Sequence, residues 1–287
     1  MAIAIVTDSN VSLPARILAG LPLFVVPLEI HHGGRVYKDG IDISPSEFYE
    51  IQRAAKVLPT TSAPQPRAFV EAFTRAAETS NEIICLTLSS QLSATYATAI
   101  AAREEVRETL RGVRVEVIDS RCAGVAQGLV ALAAARMARD GASAESLLLN
   151  ISHWQSTVHL YGYLQSLYYV WRGGRVPRAL MWMGNLLNVK PILQLSEGNI
   201  SMVQRPRTER RAMDRIVALA TQASAGQNTQ IAVMHAAALE QAEVLAWRLK
   251  SEIAPAELFI TEFTPVIGAH TGPGLVGCSI LRLSSPT

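Results

Sequence analysis

Three times in its first half, this chain runs a short apolar stretch into hydroxyl-bearing residues and then into a helical pattern. Ile3–Val6 leads to Thr7-Asp8-Ser9, Ile83–Leu88 to Ser89-Ser90, and Val113–Ile118 to Asp119-Ser120. Strand, loop and helix repeated in that order predict a mainly parallel α/β sheet. Ligands of such sheets bind where loops leave the carboxyl ends of the strands. Helices are expected over Thr95–Arg111 and over Gly124–Arg139, the second ending at Gly141.

Around this frame, Ser12 is placed to cap a helix that Pro14 opens. Phe24–Ile30 reads as one strand, with a hairpin at Gly33-Gly34. Ser44-Pro45-Ser46-Glu47 is a capping box for a helix to about Ala55. Gly141-Ala142-Ser143, followed by a helix to about Asn150, marks a boundary. Beyond it come a strand over Thr157–Leu164, a short helix Gln165–Trp171 stopped by Gly173-Gly174, and a hairpin of Lys190–Leu195 with Asn199–Val203. Strands Gln230–His235, Leu258–Thr261 and Ser279–Leu283 then alternate with helices Thr208–Ala223 and Leu239–Leu249. The expected fold class is therefore α/β with two domains, 1–150 with a mainly parallel sheet and 151–287 with a mixed one.

Only 17% of the 287 residues are charged, 49% are hydrophobic, and the net charge is +2. With no basic stripe and 6% aromatics, nucleic acid is a poor partner. The mean hydropathy of +0.20 is consistent with a large core or an internal apolar cavity. Cys85, Cys122 and Cys278 are too scattered for a disulfide framework or a zinc knuckle, which predicts free buried thiols in a reducing cytosol. The apolar N-terminus is broken at once by Thr7-Asp8-Ser9, and no apolar run approaches membrane-spanning length. A soluble, cytoplasmic protein is the expectation.

Residues 266–277, Val-Ile-Gly-Ala-His-Thr-Gly-Pro-Gly-Leu-Val-Gly, read as a narrow loop presenting His270 and Thr271. Glycines permit close backbone approach, and Pro273 stiffens the turn. Such a loop suits a carboxylate, a phosphate or an oxyanion, and equally a plain tight turn. Two hydroxyl clusters carry the same chemistry. Thr60-Thr61-Ser62, pinned between Pro59 and Pro64, suits an anion-binding loop and equally the N-cap of a helix after Pro66, while Ser89-Ser90-Gln91-Leu92-Ser93 precedes a helix N-terminus. No Walker loop, G-x-S-x-G elbow, H-E-x-x-H or dinucleotide fingerprint is present, and the residues name no metal or cofactor. Ser93, His270 and Asp8 can be assembled into a nucleophilic triad only on paper. Leu164–Val176 and Ala179–Leu187, with Met181, Trp182 and Met183, fit core packing or the lining of an alkyl tunnel.

Together these motifs resemble the DegV family of bacterial fatty-acid-binding proteins. The matches are Thr-Asp-Ser and Leu-Pro (7–9, 13–14), Thr-Ser-x-Pro (61–64), Leu-Ser-x-Thr-Tyr (92–96), Val-Ile-Asp-Ser (117–120) and Gln-Gly-Leu (127–129). They continue with Arg-Gly-Gly-Arg-Val (172–176), Leu-Asn-Val-Lys-Pro-Ile-Leu (187–193) and Gly-x-His-Thr-Gly-Pro-Gly (268–274). The resemblance implies two α/β domains with a long-chain fatty acid in a tunnel between them. Its carboxylate would be held by Thr61, Ser62, Ser93, His270 and Thr271, with Arg172 assisting at the head group or meeting a partner. It also implies a carrier without chemistry of its own, which offers the acid to a separate fatty acid kinase and makes transient contact with a membrane surface. A hydrolase or acyltransferase using Ser93 or Ser62 with His270 is the alternative. Two residues depart from the family pattern: Ser12 stands where Asp is usual, and Ala94 where Gly is usual.

Overall fold

The computed structural model describes residues 2–176, 189–226 and 228–283. The segment Ala179–Leu187 and the first residues of the Leu187–Leu193 motif lie outside them. Four parallel strands form the first sheet: β1 (Ile3–Asp8), β2 (Leu23–Val26), β6 (Glu82–Thr87) and β7 (Arg114–Asp119), in the order β2-β1-β6-β7. β1 is buried along its whole length, as expected of a strand covered on both faces. Ala4 and Val6 pack with helices α3 (Pro66–Ala77) and α4 (Thr95–Val106). Ile3 and Ile5 point the other way, towards α5 (Val125–Arg139).

The second sheet is mixed. Its order is β10-β9-β8-β13-β11-β12, built from β8 (His159–Tyr163), β9 (Ile192–Ser196), β10 (Asn199–Gln204), β11 (Thr229–His235), β12 (Glu257–Glu262) and β13 (Val276–Arg282). Only β11 and β12 pair in parallel. Helices α8 (Glu209–Ser224) and α9 (Leu239–Ile253) cover one face, where Ile231, Val233, Cys278 and Ile280 are buried. Ala232, Met234 and Leu281 face back towards α5 and α6 (Ala144–Thr157). Helix α5 thus lies between the two sheets, and its residues from Val125 to Ala135 are all buried. Such a helix must be apolar or small all round, which explains the run of alanines.

A third, antiparallel sheet of β3 (Glu29–His32), β4 (Arg35–Lys38) and β5 (Thr60–Ser62) has the order β4-β3-β5. The stretch expected as one strand, Phe24–Ile30, is therefore two strands in two sheets. Pro27 lies between them, and with no N–H to give a ladder it is a natural point for the chain to leave the first sheet. The capping box is present as expected, with Ser44 and Glu47 holding α2 (Pro45–Ala54). Ser12 does not cap a helix. It sits in the left-handed region (φ 49°) after the 3₁₀ turn Ser9–Val11, and Pro14 precedes α1 (Ala15–Leu18). Helix α6 runs past the expected end at Asn150 to Thr157, because Leu147, Ile151 and Trp154 continue a buried stripe at helical spacing. Residue 150 thus falls inside a helix.

Candidate functional site

The largest correction concerns residues 266–277. Pro265 takes the first position of a short helix, α10 (Pro265–Thr271), so His270 and Thr271 occupy its last turn rather than an open loop. Gly272 (φ 72°) then ends it, where a side chain would collide with the Tyr169 ring. Most of the N–H groups expected to face an anion are thereby spent inside the helix. The side chains carry the chemistry instead. Thr60–Ser62 is likewise a strand and not a loop, and Gln65, not one of its hydroxyls, stands at the start of α3.

These elements bring Thr61, Ser62, Ser93, His270 and Thr271 to one cavity of about 120 Å³, which Asn10, Leu28, Arg175, Ile200 and Ile267 also line. His270 Nε2 lies 2.7 Å from Thr61 Oγ1. Its Nδ1 is buried without a partner among the described residues, beside Gly173, where a Cβ would come within 2.5 Å of it. Burial first, and then the nearby Arg175 charge, lower the His270 pKa to about 4, so the ring is neutral at pH 7. Ser62 Oγ donates to Glu29 Oε2 at 2.9 Å and lies 2.9 Å from His31 Nε2. Ser93 Oγ lies 2.8 Å from Thr95 Oγ1 and accepts the Thr95 N–H. Thr271 Oγ1 donates to the Ile267 carbonyl.

A second cavity of about 100 Å³ adjoins the first and shares Ala123, Ile200, Ile267 and Thr271 with it. Its other walls are Gly124, Leu160, Gly162, Leu164, Leu193, Met234, Phe263 and Leu275, with Gln194 the main polar group. The hydroxyl-lined cavity and the apolar one thus share a wall.

The triad of Ser93, His270 and Asp8 is not assembled. His270 is bonded to Thr61 rather than to either serine. Asp8 is buried and accepts from Leu88 N–H, Asn10 N–H and Gln127 Nε2, so it does not orient His270. Cys85, Cys122 and Cys278 are free and buried, and burial pushes the thiols of Cys122 and Cys278 up to about 12, away from thiolate chemistry. Among the described residues, no group of His, Cys, Asp and Glu is placed to hold a metal ion, and no helix is long and apolar enough to cross a membrane.

The family model described as "uncharacterised protein, DegV family" matches residues 2–283. The chain belongs to the DegV family. It is 36% identical over 277 residues to the DegV domain-containing protein SCO2569 of Streptomyces coelicolor, covering 96% of each chain. Among solved structures, a fatty-acid-binding DegV family protein from Thermus thermophilus superposes with a TM-score of 0.92 at 30% identity, covering 99% of this chain and 100% of that one. DegV of Bacillus subtilis, described as a fatty acid binding protein, gives 0.87 at 31%, covering 98% and 99%.

Within the DegV motif Arg-Gly-Gly-Arg-Val, the arginine at the cavity is Arg175, not Arg172. Helix α7 (Tyr168–Gly173) ends at Gly174 in the left-handed region (φ 69°), and this turn sends Arg175 to the cavity wall. There Arg175 reaches the Gly173 carbonyl at 2.8 Å and the Thr61 carbonyl at 3.5 Å. Arg172 stays exposed on the helix, 5.8 Å from the Trp171 ring centre. The paired glycine was the available signal, because a helix stop between two arginines separates their directions. Asn10 was also missed. Its amide is held by Gln127 at 2.7 Å, and Gln127 in turn bonds Thr7 and Asp8, so the Gln-Gly-Leu motif supports the cavity from α5. Ala94 is exposed and does not line the cavity, while Ser12 Oγ accepts the Thr264 N–H just before α10.

Proposed function

We propose that this protein binds a long-chain fatty acid, with its carboxylate among Thr61, Ser62, Ser93, His270 and Thr271 and its tail in the adjoining apolar cavity. One observation carries the reading: a cavity lined by hydroxyls and a neutral imidazole shares Ala123, Ile200, Ile267 and Thr271 with a neighbouring one lined by Leu, Ile, Met and Phe. A neutral His270 with its proton on Nε2 donates to Thr61, which frees the threonine proton for the ligand. Hydroxyl donors to a carboxylate give charge-assisted hydrogen bonds, and Arg175 at the wall adds attraction. Tail burial supplies most of the affinity at about 0.8 kcal/mol per CH₂, or roughly 10 kcal/mol for a sixteen-carbon chain before ordering costs. The head group therefore sets orientation and the tail sets affinity. In this reading the halves 1–150 and 151–287 are the two walls of the site.

The protein acts as a carrier without chemistry of its own, and presents the carboxylate to a fatty acid kinase subunit for acyl phosphate formation. Arg172, exposed beside Trp171, belongs to the surface such a partner or a membrane would meet. Native mass spectrometry of gently purified protein tests the reading. The expected result is a co-purifying aliphatic acid, and its phosphorylation by a fatty acid kinase should fall at least tenfold in Ser93→Ala/His270→Ala. Turnover of model esters abolished by Ser93→Ala would replace the carrier with a hydrolase, and a phosphorylated ligand would reassign the cavity to phosphate esters.

A further inference from the structure

Asp39 lies at the end of β4, only 2% exposed, and no basic side chain pairs with it among the described residues. Burying a carboxylate without a counter-charge is costly, and a neutral amide of the same shape would pack there more cheaply. Its two oxygens are both engaged. Oδ2 accepts from Ser9 Oγ at 2.6 Å, and Oδ1 accepts from the Val266 N–H at 3.1 Å. That N–H belongs to the first turn of α10, the helix that carries His270. Seven residues are too few to hold a helix by themselves, and Thr264 provides no side-chain cap.

The rest of α10 is held from α2. Gln52 Nε2 donates to the Gly268 carbonyl at 2.9 Å, and Tyr49 lies so close to Gly268 that a Cβ there would come within 2.8 Å of its ring. Ser12 Oγ accepts the Thr264 N–H, and Thr264 Oγ1 donates to the Ser9 carbonyl. Asp39 is the charged member of this clamp, and it ties α10 to the turn after β1.

We propose that Asp39 is a positioning residue for carboxylate recognition, acting through Val266 and α10 to hold His270 against Thr61. The proposal rests on the fatty-acid reading of the cavity. The ionisable groups facing Asp39 are Asp8, from the end of β1, and Tyr49, from α2. Burial lifts the Asp39 pKa to about 6, against the bonds from Ser9 and Val266, so the carboxylate is charged at neutral pH.

The test compares binding of hexadecanoic acid and its methyl ester by the intact protein, together with the ¹⁵N titration of the His270 ring. The native protein is expected to prefer the acid. Asp39→Asn should cut that preference by about tenfold, leave ester affinity within about twofold, and move His270 titration upward from about 4. Val266→Pro removes the same hydrogen bond from the other side, at the second residue of α10, whose N–H has no partner within the helix, and should cut the preference likewise. It also serves if Asp39→Asn does not fold. The two effects together should be less than additive. An unchanged preference in either folded variant overturns the proposal, as does an equal loss of acid and ester affinity, which marks plain packing. A native protein that binds the acid no better than the ester overturns the fatty-acid reading itself, and the role of Asp39 with it.

Discussion

His270 is the residue on which the polar end of the cavity turns, and its burial has a measurable consequence. Folded, it takes a proton only near pH 4, whereas the unfolded chain's histidine takes one at about 6.5. Acid therefore favours the unfolded chain. The stability this group contributes is complete above about pH 6.5 and is lost as pH falls towards 4, with an upper bound of about 3 kcal/mol. His270→Gln keeps a donor for Thr61 but has no proton to gain. Urea unfolding of native and variant at pH 7.5 and 4 should show their stability difference moving towards the variant by up to that amount. Asp8 and Asp39 titrate alike in both proteins and cancel, so a difference independent of pH would contradict the buried neutral imidazole. The residues that meet at the cavity were legible because hydroxyls and a histidine clustered beside Gly and Pro. Arg175 was not legible, since one residue of left-handed backbone at Gly174 decided which arginine faces inward.

At the scale of elements, most strands and helices followed from hydrophobic period and caps, and the errors share a cause. Phe24–Ile30 has the composition of one strand, but a proline in the middle divides it between two sheets. The end of α6 has poor helix formers, yet tertiary burial of Trp154 overrides propensity. Helix α10 was hidden by Gly268 within it, against which Tyr49 packs, and by Gly272 and Gly274 just beyond its end. Helix α5 shows how close such packing becomes. A Cβ at Gly128 would lie 2.6 Å from the Val11 carbonyl oxygen, which is backbone and cannot swing aside. Gly128→Ala should therefore destabilise the fold by about 1–3 kcal/mol despite alanine's better helix propensity. Chemical denaturation measures this, and a neutral or stabilised variant would mean that α5 and the turn after β1 are not in contact.

The whole molecule has two principal sheets but no clean seam in its interior. One apolar cluster includes Ile3, Ile5 and Leu86 around the first sheet and Ala232, Met234 and Leu281 of the second, with α5 between them. Arg136 on α5 adds a bidentate pair to Glu257 on β12, with both side chains about 30% exposed (30% and 32%). A pair that open contributes about 1 kcal/mol or less, so the shared core is the dominant coupling. Calorimetry should accordingly record one unfolding transition. Two resolved transitions, one for each sheet, would show that the cluster is not cooperative.

A helix enclosed on all sides belongs to neither of the sheets that enclose it. Residues 1–150 expressed alone would present the second-sheet side of α5 to water, a long strip of Ala, Leu and Val with nothing to cover it. The remaining residues would lack the wall on which β8, β11 and β13 rest. The two fragments should be insoluble apart and recover a fold only when produced together, and a soluble, folded fragment 1–150 would show that α5 needs no cover from the second sheet.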